Sequence, residues 1–174
     1  MRVTVVVGNP KPRSRTREVG EALVERLLPG CAPEVIDLVD HAGELFAWPS
    51  ETMDGLTARV ASSDLVVIAS PTYKATYTGL LKAFLDRYPA NGLAGVVALP
   101  VLTGAGPAHS LGVNVHLAPL LAELGATVPG RGAYIVTSTA DRGDQAVAEA
   151  ADRFGASLAR ATAVGRSLMA GDPS

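Results

Sequence analysis

Residues 3–27, VTVVVGNPKPRSRTREVGEALVERL, decide the fold. They begin with a solid run of strand length, Val3 to Val7, apolar at every position but Thr4. A run without polar alternation predicts a strand buried on both faces, the situation of a parallel sheet. The run enters the loop Gly8-Asn9-Pro10-Lys11-Pro12-Arg13-Ser14-Arg15-Thr16, after which Val19, Ala22, Leu23 and Leu27 recur on one helical face. Strand, loop and amphipathic helix in that order open a βαβ unit.

The same pattern repeats along the chain. Solid apolar runs lie at Leu65 to Ala69 and Gly95 to Leu102, and weaker strands at Glu34 to Leu38 and Ala133 to Val136 bring the count to five. Helical patterns fall near 15–28, 52–62, 78–87, 108–124 and 143–164, the last with Val147, Ala151, Phe154 and Leu158 on one face. Right-handed crossovers between parallel strands place these helices on both sides of the sheet, so the expectation is a doubly wound α/β domain. With no internal repeat or long linker, residues 1–174 read as one unit. Periodicity fades after 164, and 165–174 are expected to form a flexible tail.

Composition narrows the chemistry. Hydrophobic residues make up 48% of the chain, yet no apolar run approaches the ~20 residues of a membrane span. Met1-Arg2 lead straight into the first strand without a secretory pattern, so a cytoplasmic location is expected. Cys31 is the only cysteine, which rules out an internal disulfide, a Cys-based zinc site and a CxxC pair; redox work would need a borrowed cofactor. A net charge of −2 with scattered Arg and Lys disfavours nucleic acid and leaves a small molecule as the expected partner. His41, His109 and His116 are widely spaced and show no ligand motif, so no metal site is expected. GxGxxG, GxxxxGK[ST] and GxSxG are all missing, which disfavours a dinucleotide dehydrogenase, a P-loop ATPase and a serine hydrolase.

Ligands of doubly wound sheets lie beyond the carboxyl ends of the strands, where strand order reverses. Three loops therefore carry the reading. In the first, backbone amides at a helix start, the hydroxyls of Ser14 and Thr16, and nearby Arg13 or Arg15 suit one phosphomonoester. The alternative is a plain helix cap with solvated arginines. The second, Ser70-Pro71-Thr72-Tyr73-Lys74-Ala75-Thr76-Tyr77-Thr78-Gly79, offers backbone amides and the Tyr73 face to a flat, partly polar ring. Alternatively Tyr73 and Tyr77 pack on helices or at a subunit contact. In the third, Leu102-Thr103-Gly104-Ala105-Gly106-Pro107-Ala108-His109, the glycines permit close backbone approach and Thr103 can donate a hydrogen bond; read as a mere turn it means much less.

Residues 70–86, Ser70-Pro71-Thr72-Tyr73-Lys74-Ala75 through Gly79-Leu80-Leu81-Lys82 to Asp86, resemble the Pro-x-Tyr-Lys-Ala loop and Gly-x-Leu-Lys helix of the NADPH-dependent FMN reductase family. Leu99 to Gly104 with Ala108-His109 is also similar. The resemblance covers most of residues 3–136 and is closest to the branch that supplies reduced flavin to alkanesulfonate monooxygenases. It implies a flavodoxin-like three-layer sandwich with a five-stranded parallel sheet of order 2-1-3-4-5. It implies FMN as cofactor and NADPH or NADH as donor. Ser14, Arg15 and Thr16 would then hold the FMN phosphate, with Asn9 and Arg13 also among the cofactor-binding residues; Pro71, Thr72, Tyr73 and Lys74 would line the isoalloxazine; and Thr103, Gly104, Ala105 and Gly106 would face the flavin. Two departures stand out. Gly8-Asn9 replaces the Gly-Ser of many members, and a gap-free match places Val115 and His116 where the sulfonate-linked members carry an aromatic insertion at a subunit interface.

By that resemblance no side chain acts as acid or nucleophile, because the flavin accepts the hydride and the protein supplies orientation and electrostatics. The expected function is an NAD(P)H-dependent FMN reductase serving a partner monooxygenase. An FMN-containing quinone or azo reductase is the alternative, and an electron-carrier flavodoxin or a non-enzymatic member the rivals from other classes. A homodimer or homotetramer is expected, with Leu80-Leu81 and Leu117 to Leu121 either forming its face or covering the sheet.

Overall fold

The computed structural model describes residues 1–138 and 140–170, without the side chains of 140–142. Five strands, β1 (Val3–Val7), β2 (Glu34–Asp37), β3 (Leu65–Pro71), β4 (Val97–Gly104) and β5 (Ala133–Val136), form one parallel sheet in the order β2-β1-β3-β4-β5. This is the flavodoxin-like order 2-1-3-4-5, with the reversal between β1 and β3. Helices α1 (Arg15–Leu27), α2 (Glu51–Ala61), α3 (Gly79–Leu85), α4 (Ala118–Glu123) and α5 (Ala140–Ala170) complete the layers.

Period-2 geometry makes each apolar strand serve two cores. In β1 and β3, Val5, Val7, Val67 and Ala69 face one way, onto Val19 and Leu23 of α1 and Val147, Ala151 and Phe154 of α5. Val6, Val66 and Ile68 face the other, onto Met53 and Leu56 of α2, Leu81 and Phe84 of α3, and Leu117 and Leu121 of the α4 region. Every residue of β1 and β3 is buried, as the unalternating runs require.

The fourth helical stretch departs from the expected continuous helix over 108–124. It is a 3-10 turn at Pro107–His109, a π-helical turn at Val113–Leu117, and only then α4. Pro119 gives a physical reason: it has no N–H to bond the carbonyl four residues back, and its ring would press on that carbonyl, so the preceding turn widens. Val115 and His116 lie on the exposed side of the widened turn. Leu81, Leu117 and Leu121 are fully buried and cover the sheet, while Leu80 and Leu120 are partly buried. The expected tail also changes: α5 continues through 165–170, and 171–174 lie outside the described residues. No helix among the described residues is long and apolar enough to cross a membrane.

Candidate functional site

The loops after β1, β3 and β4 meet at the carboxyl edge of the sheet, and their side chains tie them together. Ser14 caps α1, its Oγ accepting from the Arg17 amide at 3.3 Å. Asn9 closes the loop on itself: its Oδ1 accepts from the Lys11 amide at 2.9 Å, and its Nδ2 donates to Thr16 Oγ1 at 3.0 Å. Thr16 Oγ1 shares a 2.9 Å hydrogen bond with Thr103 Oγ1 on β4. The Thr103 carbonyl accepts from the Thr72 amide at 2.7 Å. Asn9, Thr16 and Thr103 are all buried, so this chain of polar atoms is paired within itself.

The second loop is fastened from below. Thr78 caps α3, accepting from the Leu81 amide at 3.1 Å while donating to the Gly8 carbonyl at 2.6 Å. Ser70, completely buried, accepts from the Thr78 amide at 3.0 Å. Gly8 is confined by α3, because a Cβ there would stand 2.6 Å from Leu81 Cβ. Between these anchors Tyr73 and Thr76 exchange backbone hydrogen bonds at 2.9 and 3.3 Å around Lys74 and Ala75, whose φ values are 52° and 70°. Two left-handed residues in a two-residue loop are the signs of a mirror-image hairpin turn, and neither is the glycine that adopts them freely. The backbone is therefore strained at the site's rim.

Together the loops enclose a cleft of about 520 Å³. Asn9, Ser14, Arg15 and Thr16 line one end, Pro71, Thr72 and Tyr73 one wall, and Thr103, Gly104 and Ala105 the other. A second cleft of about 530 Å³ shares Thr72, Gly104 and Ala105 and continues past Gly106 and His109 to Tyr134. Thus eleven of the thirteen expected residues line the two clefts. Arg13 and Lys74 line neither: Arg13 has a left-handed φ of 49° on the exposed side of the first loop, and Lys74 sits at the turn tip. The sequence reading missed Lys11, Thr137 and Tyr134, which line the clefts. Thr137 follows β5 and holds Arg15, whose Nη1 donates to its carbonyl at 2.5 Å. Polar residues just after a strand's carboxyl end were the available signal for Thr137; for Tyr134 there was none.

Two further polar features lie near this edge of the sheet. Thr72 Oγ1 is buried and has no hydrogen-bond partner among the described residues. A buried hydroxyl left without a partner costs about 1–3 kcal/mol, so Thr72 Oγ1 is free to take a hydrogen bond from a group that enters the cleft. At the end of β2, the buried Asp37 carboxyl lies beneath the first loop. Burial and then Asp40 raise its pKa above the ordinary 3.8, opposed by the Arg13 amide, the Arg17 charge and the Val39 amide.

With the cleft formed by the three motif loops, the comparisons decide the family. The sequence profile of the NADPH-dependent FMN reductases matches residues 1–141. The chain belongs to that family. It is 37% identical over 129 residues to the FMN reductase (NADPH) of Escherichia coli strain K12, covering 71% of this chain and 67% of that protein. It is 31% identical over 151 residues to the NADH-dependent FMN reductase SfnF of Pseudomonas putida, covering 82% and 81%. Among solved structures, the apo form of the NADH:FMN oxidoreductase EmoB superposes with a TM-score of 0.77 at 30% identity, over 90% of this chain and 89% of that one. The family is one of oxidoreductases acting on FMN with a nicotinamide, and the β1, β3 and β4 loops described above fall inside the matched residues.

Proposed function

We propose that this chain binds FMN in the first cleft, reduces it with NADPH or NADH, and delivers the reduced flavin to a flavin-dependent monooxygenase. The observation that carries the reading is that one cleft has a helix-start anion cradle at one end and a wall free of bulky side chains at the other. FMN, when bound, supplies the hydride-accepting chemistry. The remaining work belongs to the chain.

The amides of Arg15 and Thr16, at the first turn of α1, have no acceptor among the described residues, so they are available to a phosphate. Lys11 and Arg15 line the same end and add positive charge, with Arg15 steadied by the Thr137 carbonyl. At the far end, the Gly104 carbonyl accepts from the Thr137 amide at 2.9 Å. In a planar trans peptide the N–H of Ala105 then points the opposite way, away from β5. It is a donor suited to negative charge on a reduced ring. Thr72 Oγ1 offers a second polar contact between the two clefts.

The test is to follow NADPH and NADH oxidation by absorbance while FMN is raised from catalytic to substrate amounts. Saturable FMN-dependent turnover is expected, with dependence on excess FMN marking release to a partner. Absence of turnover with both nicotinamides would overturn the reading. The reduction step has support in the kinship with SfnF, whose name states FMN reduction with NADH.

A further inference from the structure

We propose that Tyr134 is a positioning residue that sets the shape of the Gly104–Gly106 loop and thereby the grip on the flavin ring; this rests on the reading of the cleft as an FMN site. Tyr134 lies on β5, opposite Leu102 in the β4 register. Its neighbours Ala133 and Ile135 enter the core shared with α1 and α5, so the phenol faces the other side of the sheet and packs half-buried there. From that position it crosses to the β4–α4 loop, and its hydroxyl donates to the Gly106 carbonyl at 2.9 Å.

The fit is mutual. A Cβ on Gly104 would overlap the Tyr134 hydroxyl and stand 2.8 Å from its Cζ, whereas nothing lies within 4 Å of the corresponding position on Gly106. Gly104 is therefore glycine because the tyrosine occupies its side-chain space. The loop has no bulky side chain of its own with which to pack. It hangs from β5 at two points, the Gly104 carbonyl on the Thr137 amide and the Gly106 carbonyl on the Tyr134 hydroxyl. Loss of the hydroxyl frees the distal half of the loop and leaves the phosphate end untouched.

That separation makes the test specific. FMN and riboflavin are titrated, by quenching of flavin fluorescence, into the parent protein, Tyr134→Phe and Ser14→Ala. Tyr134→Phe is expected to weaken both flavins by the same factor, about 3- to 10-fold, as for one lost hydrogen bond. The flavin-free variant should melt within about 2 °C of the parent, because Phe keeps the ring packing. Ser14→Ala should weaken FMN and leave riboflavin unchanged. Unchanged binding of both flavins by Tyr134→Phe, or a loss confined to FMN, would overturn the proposal. A parent that binds neither flavin would instead sink the FMN reading itself. A second cycle checks the contact: Gly104→Ala and Tyr134→Ala should combine less than additively in flavin affinity, and strict additivity would count against it.

Discussion

Thr16 is 1% exposed, and its one hydroxyl serves both Asn9 and Thr103. Thr16→Val keeps the shape and removes the oxygen, so two buried groups lose their partner at once. The expected cost is about 1–3 kcal/mol, read as a lower urea midpoint with unchanged slope, and Thr16→Ser should restore most of it. Asp37 behaves in the opposite sense. Its folded pKa lies above 3.8, so the ionised form is disfavoured in the native state at neutral pH, and that penalty fades as pH falls through the folded pKa toward 3.8. Asp37→Asn should therefore raise the melting temperature at pH 7, with the gain shrinking on acidification; a gain that grows toward pH 4 would contradict this origin. The place of the first loop was legible, because a buried strand running into an amphipathic helix puts the turn between them at the carboxyl edge of the sheet. The pairing of its side chains was not, since Thr16 meets Thr103 across 87 positions of sequence.

Gly8 couples two elements, the end of β1 and the flank of α3. A methyl group there would meet Leu81 at its Cβ, 2.6 Å away. Gly8→Ala should destabilise the fold by about 1–3 kcal/mol through displacement of α3, and Leu81→Ala should fail to rescue it, because the clash is with the atom that alanine retains. Chemical denaturation of the single and double variants would measure both. At this scale the strands were readable, since β1 and β3 are buried on both faces and so carry runs that are apolar but for Thr4 and Ser70. The fourth helix was not. Its apolar spacing fits one continuous helix, and the interruption depends on how the backbone relaxes around Pro119, which periodicity does not register. β5 hid Tyr134 for a related reason: in a four-residue strand an aromatic reads as ordinary strand filling, and only the tertiary placement of the β4–α4 loop gives it a second task.

For the whole molecule, stability resides in the two cores on either side of the sheet, and the last turns of α5 belong to neither. Val164, Leu168 and Met169 are 59%, 73% and 89% exposed, while Phe154 is 1% exposed. A chain ended at Val164 should melt within about 2 °C of the parent and bind flavin equally, whereas Phe154→Ala should cost about 3–5 kcal/mol. Thermal melts of the two variants separate these contributions. The cross-ties among Asn9, Thr16, Thr103 and Thr72 have a kinetic consequence. Walls that are already fastened to one another require no ordering when a guest arrives, so encounter runs at the ordinary docking rate of about 10⁵–10⁷ M⁻¹s⁻¹. Differences in hold then fall on dwell time, the quantity a single hydroxyl adjusts while the enclosing framework stays as it is.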